Sequence, residues 1–230
     1  MKVAVTGKGG TGKTVISALL TKFISRYGDT LAVDADPDSN LADVLGVEVE
    51  KTVADVVDEL YMKKYEIRDK DRWFEARINE VIHENEFDLL VMGKKEREGC
   101  YCYINSLLKK IMQKIVDFYD NVIVDCEAGI EILSRRTIDF VDVILVVVNR
   151  SKLSRDTAKR IEELVKELGI KAKIFVIGNK SAEGDFKVPY SEAVERCLEE
   201  GIPVVKALEE DENLRRAIEN IAKGIGMVVQ

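Results

Sequence analysis

The sequence predicts an α/β fold: a doubly wound, mostly parallel sheet flanked by helices, built as a single domain over residues 1–230. Three observations predict it. Short β-branched runs recur between turn signals, nearly continuous in apolar residues rather than alternating, as in strands buried on both faces. Stretches with 3.6-residue apolar periodicity fill the gaps, so strand and helix alternate as in βαβ crossovers. The length is about one and a half times an ordinary domain of ~150 residues, which favours one domain with insertions over two.

Taken in order, the strand candidates are 2–6, 31–33, 89–92, 122–124, 143–148 and 174–177, with 202–205 as a seventh. Val53, Val56, Val57 and Leu60 mark one helix, and Phe74, Ile78, Val81 and Ile82 a second. Leu107, Leu108, Ile111, Met112, Ile115, Val116 and Tyr119 mark a third. Ala158, Ile161, Val165 and Leu168 give another, with Ser154 as its N-cap, and Leu214, Ala217, Ile218, Ile221 and Ala222 the last. A helical segment at about 50–85 and a cysteine-bearing segment at about 94–105 read as insertions in the domain. Ligands of such sheets bind at the carboxyl ends of the strands, which is where function is expected.

Composition excludes several classes. Acidic residues outnumber basic ones, 42 to 35, for a net charge of −7, so neither nucleic acid nor an anionic membrane is an expected partner. No apolar run approaches the roughly 18 residues of a membrane span, and Met1-Lys2 leads directly into a strand pattern rather than a signal peptide. Four cysteines in this length do not make a disulfide scaffold. A cytoplasmic location is the expectation.

Gly7-Lys8-Gly9-Gly10-Thr11-Gly12-Lys13-Thr14 fits the phosphate-binding pattern G-x-x-x-x-G-K-[ST], between a strand and a helix. Its glycines let backbone N–H groups converge on phosphate oxygens at a helix N-terminus. Lys13 then neutralises the β- and γ-phosphates, and the Thr14 hydroxyl is a ligand for Mg²⁺. The cofactors expected are ATP or ADP with Mg²⁺.

With Lys8 included, this motif resembles the deviant P-loop of the family that holds the Min and Par positioning ATPases, the nitrogenase iron protein and metallocentre-assembly ATPases. The resemblance implies an ATP-sandwiched homodimer in which Lys8 reaches the partner's nucleotide, and hydrolysis carried by Lys8, Lys13 and Asp36. Val33-Asp34-Ala35-Asp36-Pro37-Asp38-Ser39-Asn40-Leu41 resembles the family's first switch. Asp36 matches the water-activating aspartate, with Asp34 as the runner-up. Asp125 fits the Walker B position, so Thr14, Asp36 and Asp125 surround Mg²⁺, directly or through water. Glu127-Ala128-Gly129 follows as the second switch. Asn179 and Lys180 resemble the adenine-side pair and join Gly9, Gly10, Thr11, Gly12, Lys13 and Thr14 around ATP. One departure concerns the Ile-Pro-Tyr/Arg-Asp segment that relatives carry after the last strand. Here its place falls on Val204-Val205-Lys206-Ala207-Leu208-Glu209, while Val188-Pro189-Tyr190 comes earlier, before a helix.

Cys100-Tyr101-Cys102 is the second constellation. In an extended segment, residues i and i+2 project to one side, so two thiolates can face one metal. Two thiolates are half of a tetrahedral site, and two copies meeting face to face would complete it for Zn²⁺ or another thiophilic ion. This stretch, with Asp125-Cys126-Glu127-Ala128-Gly129-Ile130-Glu131, resembles the accessory ATPases that mature nickel-containing carbon monoxide dehydrogenase, the CooC type. That resemblance implies Zn or Ni on Cys100 and Cys102 at a homodimer interface. It also implies dimerisation promoted by ATP or metal, and a metallochaperone whose client is carbon monoxide dehydrogenase. Two other readings stay open: an iron–sulfur carrier or ATP-gated reductase resembling the nitrogenase iron protein, and a MinD/ParA-like positioning ATPase. Cys126 is expected to pack beside the second switch, Cys197 to lie on a helix, and His83 to sit at the surface.

Overall fold

The computed structural model describes residues 1–63, 65–94, 102–129, 140–181 and 183–227. Among them, eight strands run as β1 (Lys2–Gly7), β2 (Thr30–Ala35), β3 (Ile82–His83), β4 (Asp88–Val91), β5 (Asn121–Cys126), β6 (Val143–Val148), β7 (Lys173–Asn179) and β8 (Phe186–Val188). They form one sheet in the order β3-β4-β2-β5-β1-β6-β7-β8. Only β3 is antiparallel to its neighbour; every other pairing is parallel.

Helices α1 (Lys13–Ile24), α7 (Glu192–Glu200) and α9 (Glu212–Ile225) cover one face, packing on Val3, Val5, Val143, Leu145 and Val147. Helices α3 (Val53–Met62), α5 (Cys102–Ile115) and α6 (Lys152–Glu167) cover the other, against Ala4, Val33, Ile144, Val146 and Val148. Successive residues of β6 thus point into opposite layers, and both layers are dry, which explains its unbroken apolar run. The shorter helices α2 (Leu41–Leu45), α4 (Lys70–Glu75) and α8 (Ala207–Glu210) complete the described set. No described helix is long and apolar enough to cross a membrane.

Three sequence expectations are corrected. The helix expected through Phe74, Ile78, Val81 and Ile82 divides into α4, a 3₁₀ turn at Ile78–Glu80 and the edge strand β3. Phe74 and Val81 are both buried, but from separate elements, so their spacing only imitates one helical face. His83 lies in that edge strand with Nε2 2.7 Å from the Lys51 carbonyl oxygen. The last strand is not 202–205 but β8; Val204–Lys206 is a 3₁₀ turn, preceded by Pro203, which has no N–H to give to a ladder. The N-cap of α6 is Ser151, whose Oγ accepts from the Ser154 N–H at 3.2 Å, while the Ser154 hydroxyl donates to the Asn149 carbonyl at 3.0 Å.

Candidate functional site

β1 lies at the centre of the sheet, and the chain leaves its carboxyl end through residues 8–12 into α1. Gly7 and Gly12 are needed for different reasons. At Gly7 a β-carbon would stand 2.4 Å from the Val147 carbonyl oxygen of β6. At Gly12, φ is +91° and a β-carbon would meet Asn179 Nδ2 at 2.4 Å. Gly12 is also the N-cap of α1 and provides no side-chain cap, so the first N–H groups of that helix stay available to an anion. The loop is stiffened from within, since the Thr11 hydroxyl donates to the Lys8 carbonyl at 2.8 Å.

The acidic side of the site comes from neighbouring strands. Parallel register sets Asp34 of β2 opposite Asp125 of β5, and Asp125 opposite Val5 of β1. Both carboxylates are almost completely buried. Burial, reinforced by the charge of Asp125, raises Asp34 to about 7. Burial raises Asp125 to about 6, opposed by hydrogen bonds from Thr14 and Ser17 and by the charge of Lys13. Ser17 Oγ donates to Asp125 Oδ1 at 2.8 Å. Sequence reasoning missed Ser17, although it stands one turn after Thr14 on the buried side of α1. Asp125, beside Thr14 and Lys13, is the carboxylate placed to meet a cation at the phosphates, whereas both oxygens of Asp34 accept backbone N–H groups. The oxygen donors of Thr14 and Asp125 suit Mg²⁺, a hard ion that takes few protein ligands.

Asp36 sits half-buried just beyond β2, its Oδ1 accepting from the Asp38 N–H at 3.0 Å. Lys8 is half-exposed on the P-loop, and Lys13 is buried at its base. The Glu127-Ala128-Gly129 stretch leans on the strand leading into the P-loop. Gly129 N–H donates to the Gly7 carbonyl and the Thr6 hydroxyl donates to the Gly129 carbonyl, both at 3.2 Å. Cys126 ends β5 fully buried, which raises its thiol well above the ordinary range; Cys197 is buried on α7.

On the other side of the P-loop, a cleft of about 1200 Å³ is lined by Gly10, Gly12, Asn179, Lys180, Pro189 and Tyr190, with α9 as its far wall. Asn179 Nδ2 donates to the Thr11 carbonyl at 2.8 Å, tying the end of β7 to the P-loop. Lys180 is held in the left-handed region at φ 53°, with Nζ paired to Glu195 and 5.4 Å from the centre of the Tyr190 ring. β8 is the last strand among the described residues, and the segment that follows it, Pro189-Tyr190-Ser191, lines this cleft. Residues 204–209 instead form a 3₁₀ turn and the start of α8. The Cys-x-Cys pair is seen only in part: Cys102 opens α5, and Cys100 lies outside the described residues. Among the described residues, no group of three or more His, Cys, Asp or Glu is arranged to hold a metal.

Gly12→Ala is an expected loss of both shape and anchorage. The positive φ strains any β-carbon, and the clash displaces the Asn179 amide, so a stability cost of about 1–3 kcal/mol is expected together with weaker ATP binding. Urea unfolding and titration calorimetry check it; a variant that matches the parent in both would show that the P-loop does not need this close approach.

The model of the CbiA family, the CobQ/CobB/MinD/ParA nucleotide binding domain, matches residues 2–223. An uncharacterized ATP-binding protein of Methanocaldococcus jannaschii is 40% identical, over 98% of each chain. The carbon monoxide dehydrogenase accessory protein CooC of Rhodospirillum rubrum is 35% identical, over 79% of this chain and 75% of that one. The septum site-determining protein MinD of Pyrococcus horikoshii, solved with Mg-ADP, superposes with a TM-score of 0.73 at 21% identity, over 98% of this chain and 95% of that one. The glycine-rich loop at the centre of a parallel sheet, the buried carboxylates beside it and these likenesses agree: the chain belongs to the CobQ/CobB/MinD/ParA nucleotide-binding family and is an ATPase of the MinD/ParA type.

Proposed function

We propose that this ATPase is a metallochaperone that dimerises around ATP and assists nickel insertion during maturation of carbon monoxide dehydrogenase. The observation that carries the reading is the Cys100-Tyr101-Cys102 motif of the sequence, in a chain 35% identical to a CooC protein. In this reading residues 1–230 are one ATPase domain into which the segments at about 50–85 and 94–105 are inserted.

The parts act as follows. Gly9, Gly10, Thr11 and Gly12 present backbone N–H groups to the phosphates, and Lys13 offsets their charge. Thr14 and Asp125 hold Mg²⁺, with Asp36 reached directly or through water. When bound, the ion neutralises charge that develops on the phosphate oxygens. Asp36 orients the attacking water and accepts its proton. Lys8 reaches across to the partner's nucleotide, and Asn179 and Lys180 flank the base. Nickel is the cargo: two thiolates from each of two protomers make a four-sulfur site, which Zn²⁺ also fits.

The test is stoichiometry. Metal bound per protomer is measured with and without ATP while the oligomeric state is followed by sedimentation. One metal per dimer is expected, with the dimer favoured by metal because a ligand stabilises the state that binds it. Cys100→Ser with Cys102→Ser is expected to abolish metal binding and leave nucleotide binding intact. Full occupancy in that double variant, or one metal in each monomer, would place the metal elsewhere. A second reading, a positioning ATPase, is favoured by the fold likeness to MinD. It expects ATP-dependent dimers that bind no metal.

A further inference from the structure

We propose that Asp34 is a positioning residue for hydrolysis, its carboxylate clamping both ends of the 36–40 loop and so fixing where Asp36 stands. The inference rests on the reading of Asp36 as the water-orienting residue. Asp34 is fully buried at the carboxyl end of β2. Its Oδ1 accepts from the Asp36 N–H at 3.1 Å, where the loop begins. Its Oδ2 accepts from the Leu41 N–H at 2.8 Å, where the loop ends and α2 starts. One side chain therefore closes the loop by holding both of its exits.

The loop has need of such a clamp. Asn40, the N-cap of α2, gives that helix no side-chain hydrogen bond, so Asp34 caps it from seven residues upstream. α2 spans only five residues, too few to persist without outside support. Within the loop, Ser39 takes a left-handed φ of 52°, a conformation that costs energy in a residue with a side chain. The far end of α2 is fixed separately, because Gly46 lies so close to Pro203 that a β-carbon would stand 2.3 Å from Pro203 Cγ. With α2 anchored at both ends and the Asp36 N–H held by Asp34, the loop that carries Asp36 is fixed at its start and at its end.

Burial also separates the two aspartates by role. A carboxylate with no exposed surface and both oxygens committed to backbone N–H groups is badly placed to take a proton from water. Asp36 is half-exposed at the mouth of the site. A displacement of about 1 Å in a group that positions a reactant costs on the order of 10²-fold in rate, so a clamp remote from the chemistry has a measurable effect.

Asp34→Asn replaces one accepting oxygen with an amide that donates, so one of the two N–H bonds is lost with little change in volume. The expected result is a kcat at least about 10-fold lower, with KM for ATP and the affinity for a non-hydrolysable ATP analogue within about twofold of the parent. Amide hydrogen exchange is expected to speed up at Asp36 and Leu41 and to stay unchanged in β5 and β6. An unchanged kcat would overturn the inference. So would a slow enzyme whose loop exchange is unaltered, which would give Asp34 a direct role, or one whose whole sheet exchanges faster. Asp34→Ser carries the same expectation should Asp34→Asn not accumulate as folded protein. Asp36→Ala, measured in parallel, separates the two readings. Parent-like hydrolysis there would sink the role of Asp36 and this inference with it, whereas slow Asp36→Ala beside parent-like Asp34→Asn would sink the clamp alone.

Discussion

Lys13→Ala is expected to lower Mg²⁺-dependent ATP turnover by about 10²–10³-fold, the range for removing one preorganised group that faces developing charge. Lys13 opens α1 at the base of the P-loop and is 7% exposed, so its ammonium acts where water screens little. The loss has a second component. The charge of Lys13 is one of the influences that hold Asp125 down against burial. Without it, Asp125 carries more proton at neutral pH and becomes a poorer ligand for Mg²⁺. Phosphate release at saturating ATP measures the effect, with an unfolding midpoint to show that the variant is folded. Parent-like turnover would remove the P-loop from the mechanism.

The largest effect expected on stability has the opposite sign. Asp125→Asn should make the nucleotide-free protein more stable at pH 8, by about 3 kcal/mol, while abolishing Mg²⁺-dependent hydrolysis. In the unfolded chain a carboxyl ionises near pH 4, whereas folded Asp125 ionises at about 6 and Asp34 at about 7. The folded state therefore holds protons that the unfolded state has given up. Its advantage from these groups is complete below pH 4 and is lost as pH rises through 6 and 7. Asn at 125 cannot ionise, so it escapes the burial cost, and it also removes the charge that raises Asp34. Urea midpoints without Mg²⁺ at pH 4 and pH 8 give the answer: little difference at the lower pH, a clear gain at the higher. A variant less stable than its parent at pH 8 would mean that the hydrogen bonds from Ser17 and Thr14 outweigh burial. With Mg²⁺ and ATP present, the order is expected to reverse, since only the parent binds them well.

Both predictions concern residues that the sequence displayed openly, and the reason is local. Lys13 belongs to a contiguous motif whose spacing is dictated by phosphate geometry. Asp125 ends a strand whose unbroken apolar run shows burial on both faces. What the sequence concealed was set by partners distant along the chain. β8 is three residues long with an exposed Lys187 in the middle, so it shows no apolar run, whereas Val204 and Val205 look like a strand and form a turn after Pro203. Ser151 and Ser154 are equally good caps in composition, and only the Asn149 carbonyl that engages the Ser154 hydroxyl decides between them. The Asn179–Thr11 and Thr6–Gly129 contacts join residues more than 100 positions apart, beyond the reach of any local pattern. Asp34 was visible as a carboxylate, but its two backbone partners were not.

The order of the sheet also bears on how the chain is made. β1 emerges first from the ribosome, yet its two neighbours are β5 and β6: Lys2 pairs with Val122, and Val3 with Ile123 and Val143. At roughly 5–20 residues per second, the phosphate-binding strand waits on the order of ten seconds or more before both of its ladders can close. Throughout that interval Val3, Ala4 and Val5 lack both of their strand partners, and Gly7 lacks Val147 beside it. Parallel pairings of such separation are slow to form and exposed to aggregation meanwhile. The strand that leads into the phosphate-binding loop is thus made well before the strands that hold it in place.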